Sequence, residues 1–131
     1  MIEHAIIKAK NYAYIAVKQS PDYQAFVKAS LNFVMDPDFV PELNRLCDFS
    51  QADLSHITLG ELNAYTKFAK SKIPAGSSTR VALVTLNESR LWLFRAFVGR
   101  FNSRDFKIFA DPGEASVWLS EAIPVAEPPA A

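Results

Sequence analysis

Two short runs rich in β-branched and aromatic residues, Arg80-Val81-Ala82-Leu83-Val84-Thr85-Leu86 and Phe106-Lys107-Ile108-Phe109, flank an apolar helix-patterned stretch that extends to Phe101. The second run leads into Asp111-Pro112-Gly113-Glu114-Ala115-Ser116-Val117-Trp118-Leu119. Strand, helix, strand, helix in this order constrains the architecture, because strands separated by a helical connection pair in parallel. The pattern specifies an α/β sheet with crossover helices. It carries no chemistry: no nucleophile, metal set or phosphate loop stands out from the rest of the sequence.

With 131 residues, the chain reads as one domain able to bury roughly two-thirds of its unfolded surface. Half the residues are apolar and ten are Phe, a composition that excludes disorder for the body of the chain. The single cysteine, Cys47, cannot form an internal disulfide, and its place in a strand-like run points to a reducing, cytoplasmic setting. Fourteen basic and fourteen acidic side chains cancel, so the chain lacks the electrostatic footprint of a nucleic-acid binder. Glu3 and His4 precede any apolar run, and no hydrophobic span is long enough to be an integral membrane segment.

Ile2 to Lys8 and Tyr12 to Lys18 read as two strands, and the short Ala9-Lys10-Asn11 connection makes them an antiparallel hairpin. Ser20 is placed to cap a first helix, with Pro21 at its first position and Asp22 in its first turn. Tyr23, Phe26, Val27, Ser30, Phe33 and Val34 share one face of that helix, and Asp36-Pro37 ends it. Asp36 and Asp38, on either side of Pro37, organise a turn.

A third strand follows over Asn44 to Phe49, with Leu46 and Asp48 on one face and Cys47 and Phe49 on the other. Thr58-Leu59-Gly60-Glu61 is a capping box that opens a second helix from Leu59 to about Ser71. Leu62, Tyr65, Thr66, Ala69 and Ile73 form its buried stripe, and the loop 74–78 closes it. The third helix, about Ser89 to Phe101, sets Leu91, Leu93, Phe94, Phe97, Val98 and Phe101 on one arc and Trp92, Arg95, Ala96 and Gly99 on the other. A second capping box, Asp111-Pro112-Gly113-Glu114, starts a fourth helix that buries Ala115, Trp118 and Leu119. The expected architecture is a single mixed sheet of about five strands with four helices on one main face, an opening β-hairpin followed by βαβαβα. It spans residues 1–122, and a disordered Pro/Ala-rich tail occupies 123–131.

Several segments, in order and at compatible spacing, resemble the SpoIIAA-like branch of the STAS superfamily, small bacterial α/β domains also compared with the lipid-carrying Sec14-type fold. They are the opening hairpin, Asp36-Pro37-Asp38-Phe39, Leu46-Cys47-Asp48-Phe49-Ser50, Thr58-Leu59-Gly60-Glu61-Leu62, Arg80-Val81-Ala82-Leu83-Val84, and Phe109-Ala110-Asp111-Pro112-Gly113-Glu114-Ala115 running into Trp118-Leu119. The resemblance covers about Ile2 to Leu119. It implies a STAS-like fold and a non-catalytic regulatory or protein-interaction role. Anti-sigma-factor antagonists of the wider superfamily carry an Asp-Ser-Ser-Gly-like turn at the second helix, with a phosphorylated serine. Here that region reads His56-Ile57-Thr58-Leu59-Gly60. Only the Thr58 hydroxyl and a nearby glycine remain, so the resemblance supports an interaction module further than it supports a phospho-switch.

Three candidate sites follow. Thr58 either caps its helix alone or also accepts a phosphoryl group, which a helix N-terminus tolerates electrostatically. It adjoins a polar loop bearing Asp48, Ser50, Asp53, Ser55 and His56, beyond a strand end where open α/β sheets bind ligands. Ser50, His56 and Asp53 supply the residue types of a hydrolytic triad, but no nucleophile elbow or oxyanion donor pair accompanies them. Trp92 with Arg95, Ala96 and Gly99 suits a contact with a protein partner or a second copy of the chain, and equally an isolated surface tryptophan. Phe26, Phe33, Phe94 and Phe97 either fill a solid core or line an apolar pocket for a small lipid-like molecule. No Cys/His spacing matches a metal site, and no cofactor motif is present.

Overall fold

The computed structural model describes residues 1–72, 79–86, 91–99 and 106–121. Within them the chain forms β1 (Ile2–Ile7), β2 (Tyr12–Gln19), α1 (Tyr23–Val34), β3 (Asn44–Ala52), α2 (Leu59–Lys72), β4 (Val81–Val84), α3 (Leu91–Val98), β5 (Phe106–Phe109) and α4 (Pro112–Ser120). The sheet order is β1-β2-β3-β4-β5, antiparallel between the first two strands and parallel thereafter. The mixed five-stranded sheet with four helices is the architecture expected from the sequence. A 3-10 turn over Lys8–Lys10 and a left-handed Asn11, φ 52°, close the hairpin, a conformation that Asn adopts more readily than most residues.

Strand order determines where the helices lie. Each crossover from β2 to β5 advances one strand in the same direction, and right-handed connections then deliver α1, α2 and α3 to the same face. The fourth helix crosses the opposite face, where Ala115 and Leu119 bury against Leu46, Ala82 and Val84. The helices therefore divide three to one across the sheet and do not share one main face. The larger core lies under the three: Leu54, Leu62, Val81, Leu83, Leu93, Phe94 and Phe106, each large side chain contributing about 1.5–3 kcal/mol on burial.

Local differences from the sequence reading have physical causes. Asp22, not Ser20, caps α1 by accepting the Ala25 amide at 2.9 Å. Asp is as good a cap as Ser, and the buried Pro21 gives its carbonyl to His56 Nε2 at 2.8 Å instead of to the helix. The third strand reaches Ala52, beyond Phe49, because a register shift between Ala16 and Lys18 lets pairing with β2 resume at Gln51. The fourth strand is shorter than Arg80 to Leu86. Ala96, expected beside Trp92 on the outer arc of α3, instead packs half-buried against the core, since α3 is flanked by both α2 and β5.

The Thr58 capping box is formed in both directions, and at the start of α4 Asp111 caps the helix. Glu61 N–H donates to Thr58 Oγ1 at 3.1 Å and Thr58 N–H to Glu61 Oε1 at 3.0 Å, while Glu114 N–H donates to Asp111 Oδ2 at 3.3 Å. Ile73, the loop 74–78, Ser89, Phe101 and the expected tail over 123–131 lie outside the described residues. No helix among the described residues is long and apolar enough to cross a membrane.

Candidate functional site

Alternation along β3 sends Arg45 and Cys47 toward α1–α3, and Leu46 and Asp48 toward the α4 face. Between the helices and the first of these faces lies a cavity of about 240 Å³. Its walls include Phe26 and Phe33 from α1, Tyr65 from α2, Phe97 from α3, and Ile15 and Cys47 from the sheet. A second cavity of about 90 Å³ lies beside it, with Tyr23, Leu93 and Phe94 among its lining residues and Glu61 as its one acidic group. Phe26, Phe49, Tyr65, Leu83 and Phe97 line both. Their rings form a partition: Phe26 stacks on Phe49 at 6.5 Å and meets Tyr65 at 5.7 Å, and Tyr65 meets Phe97 at 6.2 Å. Phe33 thus belongs to the larger cavity and Phe94 to the smaller.

Arg45 is the unexpected member of the larger cavity. It is 9% exposed, and its guanidinium lies 5.2 Å from the centroid of Phe33 and 6.0 Å from that of Phe39. Its buried Nε has no hydrogen-bond acceptor. Burial pushes its pKa down, and the groups acting the other way are the Cys47 thiol and the Tyr65 hydroxyl, not a carboxylate. An arginine stays charged even so, which among the described residues leaves a buried cation offset only by the Phe33 and Phe39 faces. The Cys47 thiol is pushed up to about 12, by burial against the opposing charge of Arg45. It is therefore neutral and a poor nucleophile.

Other polar groups around this cavity are paired. Ser30 Oγ and Tyr65 Oη lie 2.8 Å apart, and burial is the main reason that the Tyr65 pKa is raised. His4 Nε2 lies 2.8 Å from Asp36 Oδ2, and its ring meets Phe33 edge-on at 5.4 Å. Asp36 also accepts the Asp38 amide at 2.9 Å; that bond first, and His4 second, hold its carboxyl below the usual range.

The polar loop residues are engaged separately. Tyr14 Oη donates to Asp48 Oδ2 at 2.5 Å, and the Ser50 amide donates to Asp48 Oδ1 at 2.9 Å. Burial pushes Asp48 up, but bonds from Ser50 and Tyr14 and the charge of Lys18 outweigh it and keep the carboxyl below its ordinary value. The Ser55 amide donates to Asp53 Oδ1 at 2.9 Å, and Thr58 is held by Glu61. Of the residue types needed for a triad, His56 has its Nε2 tied to the Pro21 carbonyl, and Ser50 meets Asp48 through its backbone amide. Trp92 is 47% exposed on α3, with Arg95 and Gly99 exposed near it. Among the described residues no group of three or more His, Cys, Asp or Glu is placed to hold a metal ion.

Sequence reasoning missed Arg45, although its signal was present. Arg45 stands two residues before Cys47 and four before Phe49 in a strand of period two, so a cation on the apolar face was legible from alternation alone. The Tyr14–Asp48 bond was not, since it depends on the register that sets Ala16 opposite Asp48.

No protein-family model matches the chain, and no curated protein matches it significantly. Among solved structures, the chain is similar to the crystal structure of an uncharacterized protein from the DUF3478 family with a SpoIIAA-like fold, from Shewanella loihica PV-4. The two are 22% identical over 91% of this chain and 92% of that one, with a TM-score of 0.58. The fold of this chain is accordingly SpoIIAA-like.

Proposed function

We propose that this chain is a non-catalytic regulatory domain of the cytoplasm that works by binding, and that its principal site is the cavity between α1–α3 and the sheet, which holds a small apolar molecule. The supporting observation is a cavity of about 240 Å³ walled by aromatic side chains from three helices. Protein interiors pack to crystalline density with few voids larger than a water molecule, and an apolar cavity of about 150 Å³ is enough to bind benzene. Engagement of the His56 ring by the Pro21 carbonyl favours binding over hydrolysis. Native mass spectrometry of freshly purified protein tests the reading: a retained small-molecule mass, released on denaturation, supports it, and a bare polypeptide that also fails to take up octanol overturns it.

A second reading, contact with a protein partner or a second copy, is favoured by the half-exposed Trp92. An aromatic anchor beside an arginine is the composition of an interface hot spot. The two readings are compatible, because α3 carries Phe97 in the cavity wall and Trp92 on its outer side.

A further inference from the structure

We infer that the molecule held in the larger cavity is a medium-chain monocarboxylate, and that Arg45 is the counter-ion of its headgroup; this rests on the cavity being the ligand site proposed above. Arg45 lines the cavity, is nine-tenths buried, and presents an Nε with no acceptor. A buried charge normally comes with a partner that both neutralises it and accepts its hydrogens. Here Phe33 and Phe39 supply only the ring faces on which a guanidinium stacks. The edge of the fork is left for a ligand.

The charge of the ligand follows from the pairing around it. His4 also lines the cavity, but its Nε2 is engaged by Asp36. Cys47 is neutral and Tyr65 is bonded to Ser30. Arg45 is thus the single uncompensated cation of the cavity among the described residues, which matches one negative charge. A carboxylate meets a guanidinium edge in a bidentate pair; a phosphate monoester would bring a second charge with nothing to meet it. The remaining walls are apolar and aromatic and fit a hydrocarbon tail. Scaling from the about 150 Å³ that holds the six carbons of benzene, the cavity takes about ten non-hydrogen atoms, the size of octanoate.

The test is calorimetric titration of the full chain at neutral pH with octanoate, octanol and octyl phosphate, and of the Arg45→Met variant with the first two. Octanoate should bind the unaltered protein about ten- to a hundredfold more tightly than octanol, the range expected for a charge-assisted hydrogen-bonded pair. In R45M the ratio should collapse to about one, with octanol binding kept as proof that the cavity is intact. Octanol binding at least as tightly as octanoate to the unaltered protein overturns the inference and leaves the apolar site standing. Octyl phosphate binding more tightly than octanoate overturns the choice of carboxylate. Failure of all three to bind removes the cavity as a ligand site, and the inference with it. The octanoate-to-octanol ratio on unaltered protein decides the matter even if R45M does not fold.

Discussion

The guanidinium of Arg45 lies 5.2 Å from the ring centroid of Phe33, joining the third strand to the first helix through a charge and an aromatic face. Phe33 also makes a T-shaped contact with His4 and packs at 5.0 Å against Phe39, so one ring connects β1, α1, β3 and the segment after α1. The arrangement positions Arg45 without neutralising it. With a ligand in the cavity as proposed, stability and ligand recognition are opposed at this residue.

Replacing Arg45 with methionine removes a buried charge that lacks a carboxylate partner and keeps much of the side-chain volume. The unliganded variant should be more stable than the unaltered protein, by about 1–4 kcal/mol as found when apolar residues replace buried ionic groups. Urea unfolding of ligand-stripped protein measures this. A loss of stability would mean that the guanidinium is satisfied in the folded protein.

The Tyr14–Asp48 bond predicts a pH signature. Tyr14 is raised to about 12, the bond to Asp48 being the largest cause and burial the next. An acid held above its unfolded value of about 10 contributes stability that is complete below about pH 10 and lost as pH climbs through about 12. Asp48 is held below its ordinary value, so its contribution is present above that value and lost as acid protonates the folded carboxylate. Tyr14→Phe should flatten the fall in stability on the alkaline side and raise the Asp48 pKa, read by NMR titration of the carboxyl carbon. An unchanged Asp48 titration would show that the hydroxyl does not engage it.

Thr58 and Glu61 satisfy each other at the start of α2. Thr58→Ala should lower stability by about 1 kcal/mol through loss of the cap, measured by chemical denaturation. A stability equal to that of the unaltered chain would remove the structural role and leave Thr58 free for regulation alone.

Trp92→Glu addresses the outer side of α3. Sedimentation velocity should find the unaltered chain self-associated and W92E monomeric, with a thermal midpoint close to that of the unaltered protein, since exposed positions away from the core move stability by about 0.5 kcal/mol or less. A monomeric unaltered chain, or a dimer that survives the substitution, contradicts an interface between copies at this tryptophan.

The fold was legible because its signals are local. The Thr58–Glu61 capping box, the Asp111 cap, the short hairpin connection and the span Phe106–Phe109 could be read from neighbouring residues, and strand-helix-strand order then dictated parallel pairing. The position of α4 was not legible, because nothing in Pro112–Ser120 states which face it covers; that emerges only where Ala115 and Leu119 meet Leu46, Ala82 and Val84. The candidate site was half legible. Phe26, Phe33, Phe94 and Phe97 were visible as an aromatic set, but their division between two cavities depends on how α1, α2 and α3 rest on the sheet. Arg45, whose alternation with Cys47 was visible, was obscured because a strand arginine usually faces solvent.

The most direct measurement is a titration of octanol into isotope-labelled full-length protein followed by NMR, since a neutral probe asks about the cavity independently of the charge at Arg45. The account predicts saturable shifts at Phe26, Phe33, Cys47, Tyr65 and Phe97, which wall the larger cavity, with little change at Val117 on the exposed side of α4. Shifts confined to Trp92 and the outer side of α3, or no saturable shift at all, would contradict it.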